Sequence, residues 1–250
     1  MSEPPPDHYS YAVYADPAMA ERFHGMRFSG PIGRLLAETQ ERVIADFLSP
    51  VLGRSILDVG TGTGRAAIAL AQRGAVVTAI DASAEMLAVA RRRAEEAHVA
   101  VTFAREDAHR LPFDDGSFDA VVCLRVLMHT PDWKRSLSEL CRVSRGRVVF
   151  DYPALCSAAL VQSLARRLAY AAGARVEAYR VFTDASVRSA LAANGFRLAG
   201  QHRQFVLPIA LHKRLNSEGM TRRIERALTQ AGLNALFGSP VTVAAERCAS

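Results

Sequence analysis

The segment Ile56-Leu57-Asp58-Val59-Gly60-Thr61-Gly62-Thr63-Gly64-Arg65 constrains this chain more than any other. A short apolar run ends in three glycines at alternate positions, and an Ala-rich helical pattern follows at once. A buried strand turning sharply into a helix needs such residues. Without a Cβ the backbone can take left-handed torsions and bring its N–H groups close to a ligand at the helix N-terminus. The pattern implies a nucleotide-like ligand, although a purely structural turn uses glycine too, so spacing has to decide. The dinucleotide fingerprint is G-x-G-x-x-G. Here the glycines fall as G-x-G-x-G, with Asp58 two residues ahead of the first.

Around this turn, short β-rich runs alternate with helical ones. The spacing predicts strands over 55–59, 76–80, 99–104, 118–124 and 147–150, with helices over 65–72, 84–96 and 133–142 and an amphipathic helix over 33–48 leading in. After Tyr152-Pro153 an Ala-rich helix is expected over 155–170, followed by a helix capped by Thr183 and ended by Asn194-Gly195. A strand over 196–207, a helix over 218–231 and a last strand over 240–245 complete the chain. This is an α/β order, a mostly parallel seven-stranded sheet with helices on both faces. The first thirty residues are rich in aromatics and His but lack a clean period, and they read as an irregular cap. The whole is expected as one domain: a cap over 1–50, a ligand-binding half over 51–152, and an insertion with the C-terminal strands over 153–250.

Composition removes several classes. No apolar run reaches the roughly eighteen residues of a membrane span. The acidic, proline-rich start Met1-Ser2-Glu3-Pro4-Pro5-Pro6-Asp7 lacks the positive and apolar regions of a secretory signal, so a cytoplasmic protein is expected. Cys123, Cys141, Cys156 and Cys248 are scattered without C-x-x-C or His neighbours, which suggests neither a disulfide frame nor a metal site. The net charge of +6 lies in the last hundred residues, where 13 Lys and Arg face 6 Asp and Glu. Such a surface could attract a polyanion. Only Lys134 and Lys213 are lysines, however, so the charge is nearly all Arg in an Ala-rich chain, a bias that need not reflect a ligand.

The D-x-G-x-G-x-G turn resembles the first motif of the class I S-adenosylmethionine-dependent methyltransferases, whose fold is Rossmann-like with the last strand antiparallel. Within that class the chain looks most similar to the small-molecule branch that includes the quinone C-methyltransferases. Val76-Val77-Thr78-Ala79-Ile80-Asp81 and Ala82-Ser83-Ala84-Glu85-Met86-Leu87 resemble the family's second strand, ribose-binding acid and following helix. Glu106-Asp107-Ala108-His109-Arg110-Leu111-Pro112-Phe113 resembles its adenine-contacting loop, and Asp114-Asp115-Gly116-Ser117-Phe118-Asp119-Ala120-Val121-Val122 its entry into the fourth strand.

The resemblance implies S-adenosylmethionine as cofactor and a small-molecule acceptor as partner, with nucleic acid not expected. Asp81 would accept from the ribose hydroxyls, Asp107 from the adenine amine, and the Ala108 amide would serve a ring nitrogen. Ala82 and Met86 would pack on the purine. Gly60 and Gly62 would line the methionine moiety, Asp58 would orient the turn and the ammonium, and Thr61, Gly64 and Arg125 complete the cofactor set.

The sulfonium methyl is already activated, so transfer by in-line displacement needs alignment above all. A base is needed only where the acceptor must lose a proton. Candidates beyond the fourth and fifth strands are Arg125, His129, Asp151 and Tyr152, with His8, Tyr14 and His24 available from the cap. His129 is the first choice for a base, and holding its own loop is an equal alternative. His212, in Leu211-His212-Lys213-Arg214, reads as part of a solvated turn. The family's K-P-G-G turn is replaced by Arg142-Val143-Ser144-Arg145-Gly146-Arg147, so the quinone pathway is not assigned.

Three other readings stay open. An NAD-dependent oxidoreductase also places an acid on a ribose, but the glycine spacing and Glu106-Asp107-Ala108 speak against it. A nucleic-acid (RNA) methyltransferase suits the basic last third, yet Cys123-Leu124-Arg125-Val126 stands where base N-methylating enzymes carry an Asn/Asp-Pro-Pro-aromatic motif, and no Pro-Cys is present. A catalytically silent binding protein would keep the same turn.

Overall fold

The computed structural model describes residues 17–157, 159, 163, 164, 166 and 179–248. Its elements run α1 (Pro17–Phe28), α2 (Gly30–Leu48), β1 (Ser55–Val59), α3 (Arg65–Ala71), β2 (Val76–Asp81), α4 (Ala84–Glu96), β3 (Val101–Arg105), β4 (Phe118–Cys123) and α5 (Trp133–Val143). There follow β5 (Ser144–Tyr152), α6 (Asp184–Ala192), β6 (Phe196–Phe205), α7 (Ile209–Leu215), α8 (Glu218–Gln230), α9 (Leu233–Phe237) and β7 (Ser239–Arg247).

All seven strands form one sheet in the order β3-β2-β1-β4-β5-β7-β6. The first five are parallel, and β7 lies antiparallel between β5 and β6. The chain winds outward from β1 in one direction through β2 and β3, then crosses back to β4. Between the carboxyl ends of β1 and β4 the strand order reverses, and that is where an open α/β sheet leaves a crevice.

Strands covered on both faces read as continuous apolar runs. Leu57, Val59, Val121 and Phe150 pack on one side against Leu137 and Leu140 of α5 and Leu191 of α6. Ile56, Val77, Val122 and Val149 pack on the other against Ile44 and Leu48 of α2, Ala67 and Leu70 of α3, and Leu87 and Ala90 of α4. Helix starts follow side-chain chemistry: Ser83, Asp132 and Thr183 each accept from the backbone N–H three residues on. Among the described residues no helix is long and apolar enough to cross a membrane.

Several expectations need correction. Residues 17–28 are a helix rather than an irregular cap. Ala20 of α1 is buried with Met86 and Val89 of α4, and Glu21 makes a two-bonded pair with Arg92 at 3.0 and 2.8 Å. Its few core contacts leave no apolar stripe to read from the sequence. His8 and Tyr14, the side chain of His24, and most of the helix expected over 155–170 lie outside the described residues.

His212 is not in a solvated turn. It sits on α7, fully buried, with Nε2 2.7 Å from Glu225 Oε1 and Nδ1 3.2 Å from Thr221 Oγ1. The short helices α7 and α9 were not anticipated. Strands β5 and β7 run longer than expected: Ser144 of β5 pairs with Phe118, Asp151 and Tyr152 with Thr242 and Val241 of β7, and Glu246 of β7 with Arg147.

Candidate functional site

A cavity of about 290 Å³ lies at the carboxyl ends of β1, β2 and β4. Its floor is the glycine turn between β1 and α3. Gly60, Gly62 and Gly64 all have positive φ, at 68°, 56° and 80°. Gly60 is required twice over, because a Cβ there would stand 2.2 Å from Val126 Cγ2 in the loop after β4. Gly64 has a different reason: its Cβ would meet Ala90 Cβ at 3.0 Å, so it lets α3 and α4 approach. Gly64 is not among the residues lining the cavity.

Two carboxylates brace this turn. Asp58, 2% exposed, accepts from Thr61 Oγ1 at 2.7 Å. Burial pushes its carboxyl up to about 6, against the opposing pull of the Thr61 hydroxyl and Arg65. At the end of β2, Asp81 accepts from the backbone N–H of Gly62 at 2.8 Å and of Ser83 at 2.9 Å. Burial raises Asp81 as well, and the Ser83 and Gly62 amides work against that rise.

The Asp58 shift has a consequence for stability. Between the ordinary carboxylate range and about pH 6 the folded protein holds a proton on Asp58 that the unfolded chain has lost. That contribution is present at low pH and is lost as pH rises through about 6. Subtracting the melting temperatures of Asp58→Asn from those of the natural protein, over roughly pH 4 to 7, should give a difference that falls as pH rises. A flat difference would contradict the assignment.

The loop after β3 supplies Asp107 and Ala108 to the lining. Asp107 Oδ1 accepts from the His109 backbone N–H at 2.8 Å and lies 2.7 Å from His109 Nδ1. His109 Nε2 accepts from the Asp132 amide at 3.4 Å, which leaves Nδ1 as the protonated nitrogen donating to Asp107. Sequence reasoning passed over His109, though its place two residues after Asp107 is the local signal. Ala82 and Met86, the latter almost wholly buried at the start of α4, line the same wall.

Arg125, Val126 and His129 form the opposite side. Arg125 has φ 62°, left-handed for a residue with a side chain, and its backbone N–H is held by Asp151 Oδ1. His129 is 5% exposed, its N–H bonds the Val126 carbonyl at 2.8 Å, and its ring meets Tyr179 edge-on at 6.4 Å.

Asp151 and Tyr152 do not join the lining. Asp151 is fully buried and also accepts from Gln40 Nε2 at 3.3 Å. The Tyr152 hydroxyl donates to Asp184 Oδ1 at 2.9 Å, and its burial together with that carboxylate pushes the phenol well above its usual range. β5 is covered on both faces, so helices α2 and α6 claim these side chains. Among the lining residues that were not expected are Phe28 and Arg65. The Arg65 guanidinium stacks 4.7 Å from the Phe28 ring centroid and is tied to Gln40 and Glu41 of α2.

With this geometry in place, residues 57–150 match the family model described as a methyltransferase domain. The domain is 44% identical over 105 residues to a demethylmenaquinone methyltransferase of Thermus thermophilus, which covers 40% of this chain and 48% of that protein. It is 41% identical over 111 residues to a ubiquinone biosynthesis O-methyltransferase of Alkalilimnicola ehrlichii, covering 43% and 45%. The aligned part spans about half the length of these curated relatives. The magnesium protoporphyrin IX methyltransferase of Synechocystis PCC 6803, solved with bound SAH, superposes with a TM-score of 0.67 at 19% identity over 95% of this chain and 98% of that one. At that identity the likeness speaks for the fold.

Proposed function

We propose that this protein transfers a methyl group from S-adenosylmethionine to a small-molecule acceptor of phenolic or quinone-like chemistry, as a single domain whose residues 153–250 serve the acceptor side. The observation that carries the reading is the set of carboxylates, Asp58, Asp81 and Asp107, gathered around a glycine turn with no room for a side chain at Gly60. S-adenosylmethionine offers donors and positive charge where this cavity offers acceptors: a ribose diol, an ammonium and an adenine amine. A dinucleotide would bring its pyrophosphate to the glycine turn, directly above the buried Asp58, where like charges repel.

Asp81 is suited to accept from the ribose while bracing Gly62, and Asp58 to hold the ammonium through the turn. Ala82 and Met86 offer an apolar face to the purine, beside the Ala108 amide. Thr61 links the turn to Asp58, and Gly64 serves at one remove by packing α3 on α4. The bound cofactor supplies a methyl group on a positively charged sulfur, ready for displacement. Arg125 and His129, which also line the cavity, would orient the acceptor, and His129 would take its proton. Phe28 and Arg65 close one side against water.

The test is transfer of labelled methyl from S-adenosylmethionine to a panel of catechols, quinols and other phenols, with total RNA alongside. Label in a small acceptor supports the reading, and label in RNA alone contradicts it. On the acceptor so found, His129→Ala should lower kcat by about 100-fold or more, the range of general-base catalysis, with cofactor affinity little changed. Normal turnover with a lowered melting temperature would assign His129 to holding its loop.

A further inference from the structure

A second cleft, of about 710 Å³, opens at the far edge of the sheet between α2, β6 and α8–α9, and it shares no lining residue with the first. Alternation along β6 sorts its side chains. Gln201 and Arg203 point to α6 and bond Asp184. Gly200, His202 and Gln204 take the α2 side, where a Cβ on Gly200 would lie 2.9 Å from Phe47 Cε1.

On that side His202 Nε2 and Gln204 Nε2 are buried with no hydrogen-bond partner among the described residues. Folded proteins seldom leave such atoms without an acceptor. Arg42 of α2 stands near enough to His202 to add to the effect of burial, and together they hold the imidazole below its usual range. Arg42 and Arg226 occur in none of the ion pairs among the described residues, and Arg222 is shared with Glu218.

The cleft's own carboxylates cannot meet this demand. Glu225 is committed to the Val206 and Leu207 amides and to His212, and Asp184 to Tyr152, Gln201 and Arg203. The cleft therefore presents guanidinium groups and two buried, unpartnered nitrogens with no uncommitted carboxylate of its own to meet them. Oxyanions supply acceptors alone, with the charge and planar or tetrahedral geometry that guanidinium groups engage.

We propose that this cleft is a binding site for a small oxyanion-bearing ligand, a phosphate or a carboxylate, held by Arg42, His202, Gln204 and Arg226. The site is separate from the methyl-transfer cavity and stands or falls independently of it.

The experiment is calorimetric titration of the full chain with inorganic phosphate and, separately, with malonate, ionic strength being held constant with chloride. Saturable binding of at least one is expected, weakened about 10-fold or more in Arg42→Gln and in Gln204→Leu, as for loss of a hydrogen bond to a charged group. Binding of phosphate alone assigns a tetrahedral ligand, and binding of malonate alone a carboxylate. No saturable binding of either, or equal binding by variants with unchanged circular dichroism, overturns the site. Should the variants fold poorly, the imidazole resonances of His202 in the natural sequence decide. They shift on addition of the bound anion if the proposal holds, and resonances that stay fixed while the anion binds place it elsewhere.

Discussion

Gly60→Ala should abolish cofactor binding and lower stability by about 2–5 kcal/mol. Two costs combine. A residue with a side chain held at φ 68° forfeits about 1–2 kcal/mol to left-handed torsions. The new Cβ would also fall 2.2 Å from Val126 Cγ2, an overlap relieved only by moving the loop after β4. Overpacking of this kind costs about 1–3 kcal/mol, and here the displaced loop is the one that carries Arg125 and His129. The double variant Gly60→Ala with Val126→Ala should regain the steric part and none of the torsional part. Urea denaturation of both variants measures the split. A stable Gly60→Ala with natural cofactor affinity would remove the turn from the site.

Glu225→Ala should cost about 3–5 kcal/mol, because each of its donors left without an acceptor away from water costs about 1–3 kcal/mol. Glu225 receives the Val206 amide at 2.8 Å, the Leu207 amide at 3.0 Å and His212 Nε2 at 2.7 Å, so one carboxylate ties the end of β6 and helix α7 to α8. Its removal leaves one buried and two half-buried donors without an acceptor. Hydrogen exchange should show protection lost over residues 206–221 first. Glu225→Gln keeps one acceptor oxygen and should fall between the two. A loss under about 1 kcal/mol would mean the insertion folds without this hub.

The site was legible in the sequence to the extent that backbone geometry dictates residue type. Gly60 and Gly62 stood out by their spacing after an apolar strand, and Asp81 through the resemblance of its strand to the family's second strand. Asp107, Ala108, Ala82 and Met86 came from the family resemblance, Arg125 and His129 also from their place after the fourth strand, and all line one cavity. Asp151 and Tyr152 misled because proximity to a strand's carboxyl end does not say which way a side chain turns. Gln40 and Asp184, distant in sequence, draw them into the core.

The fold was legible where apolar periodicity was strong. α4, predicted over 84–96, spans Ala84–Glu96, and β1 spans Ser55–Val59 as predicted. It failed where structure rests on polar pairs: α1 is tied down by Glu21 and Arg92, and α7 by His212 and Glu225. A histidine between Leu211 and Lys213 looks solvated until its acceptor, thirteen residues away, is known.

If the glycine turn and its carboxylates hold S-adenosylmethionine, the cofactor and its product should bind and a dinucleotide should not. Isothermal calorimetry of the full chain with S-adenosylmethionine, its demethylated product and NAD, repeated with Asp81→Ala, tests it most directly. Binding of the first two, none of NAD, and a loss of about 1–3 kcal/mol in affinity for the variant are expected. Binding of NAD, no binding of either sulfur compound, or an Asp81→Ala affinity equal to the natural protein's would contradict it.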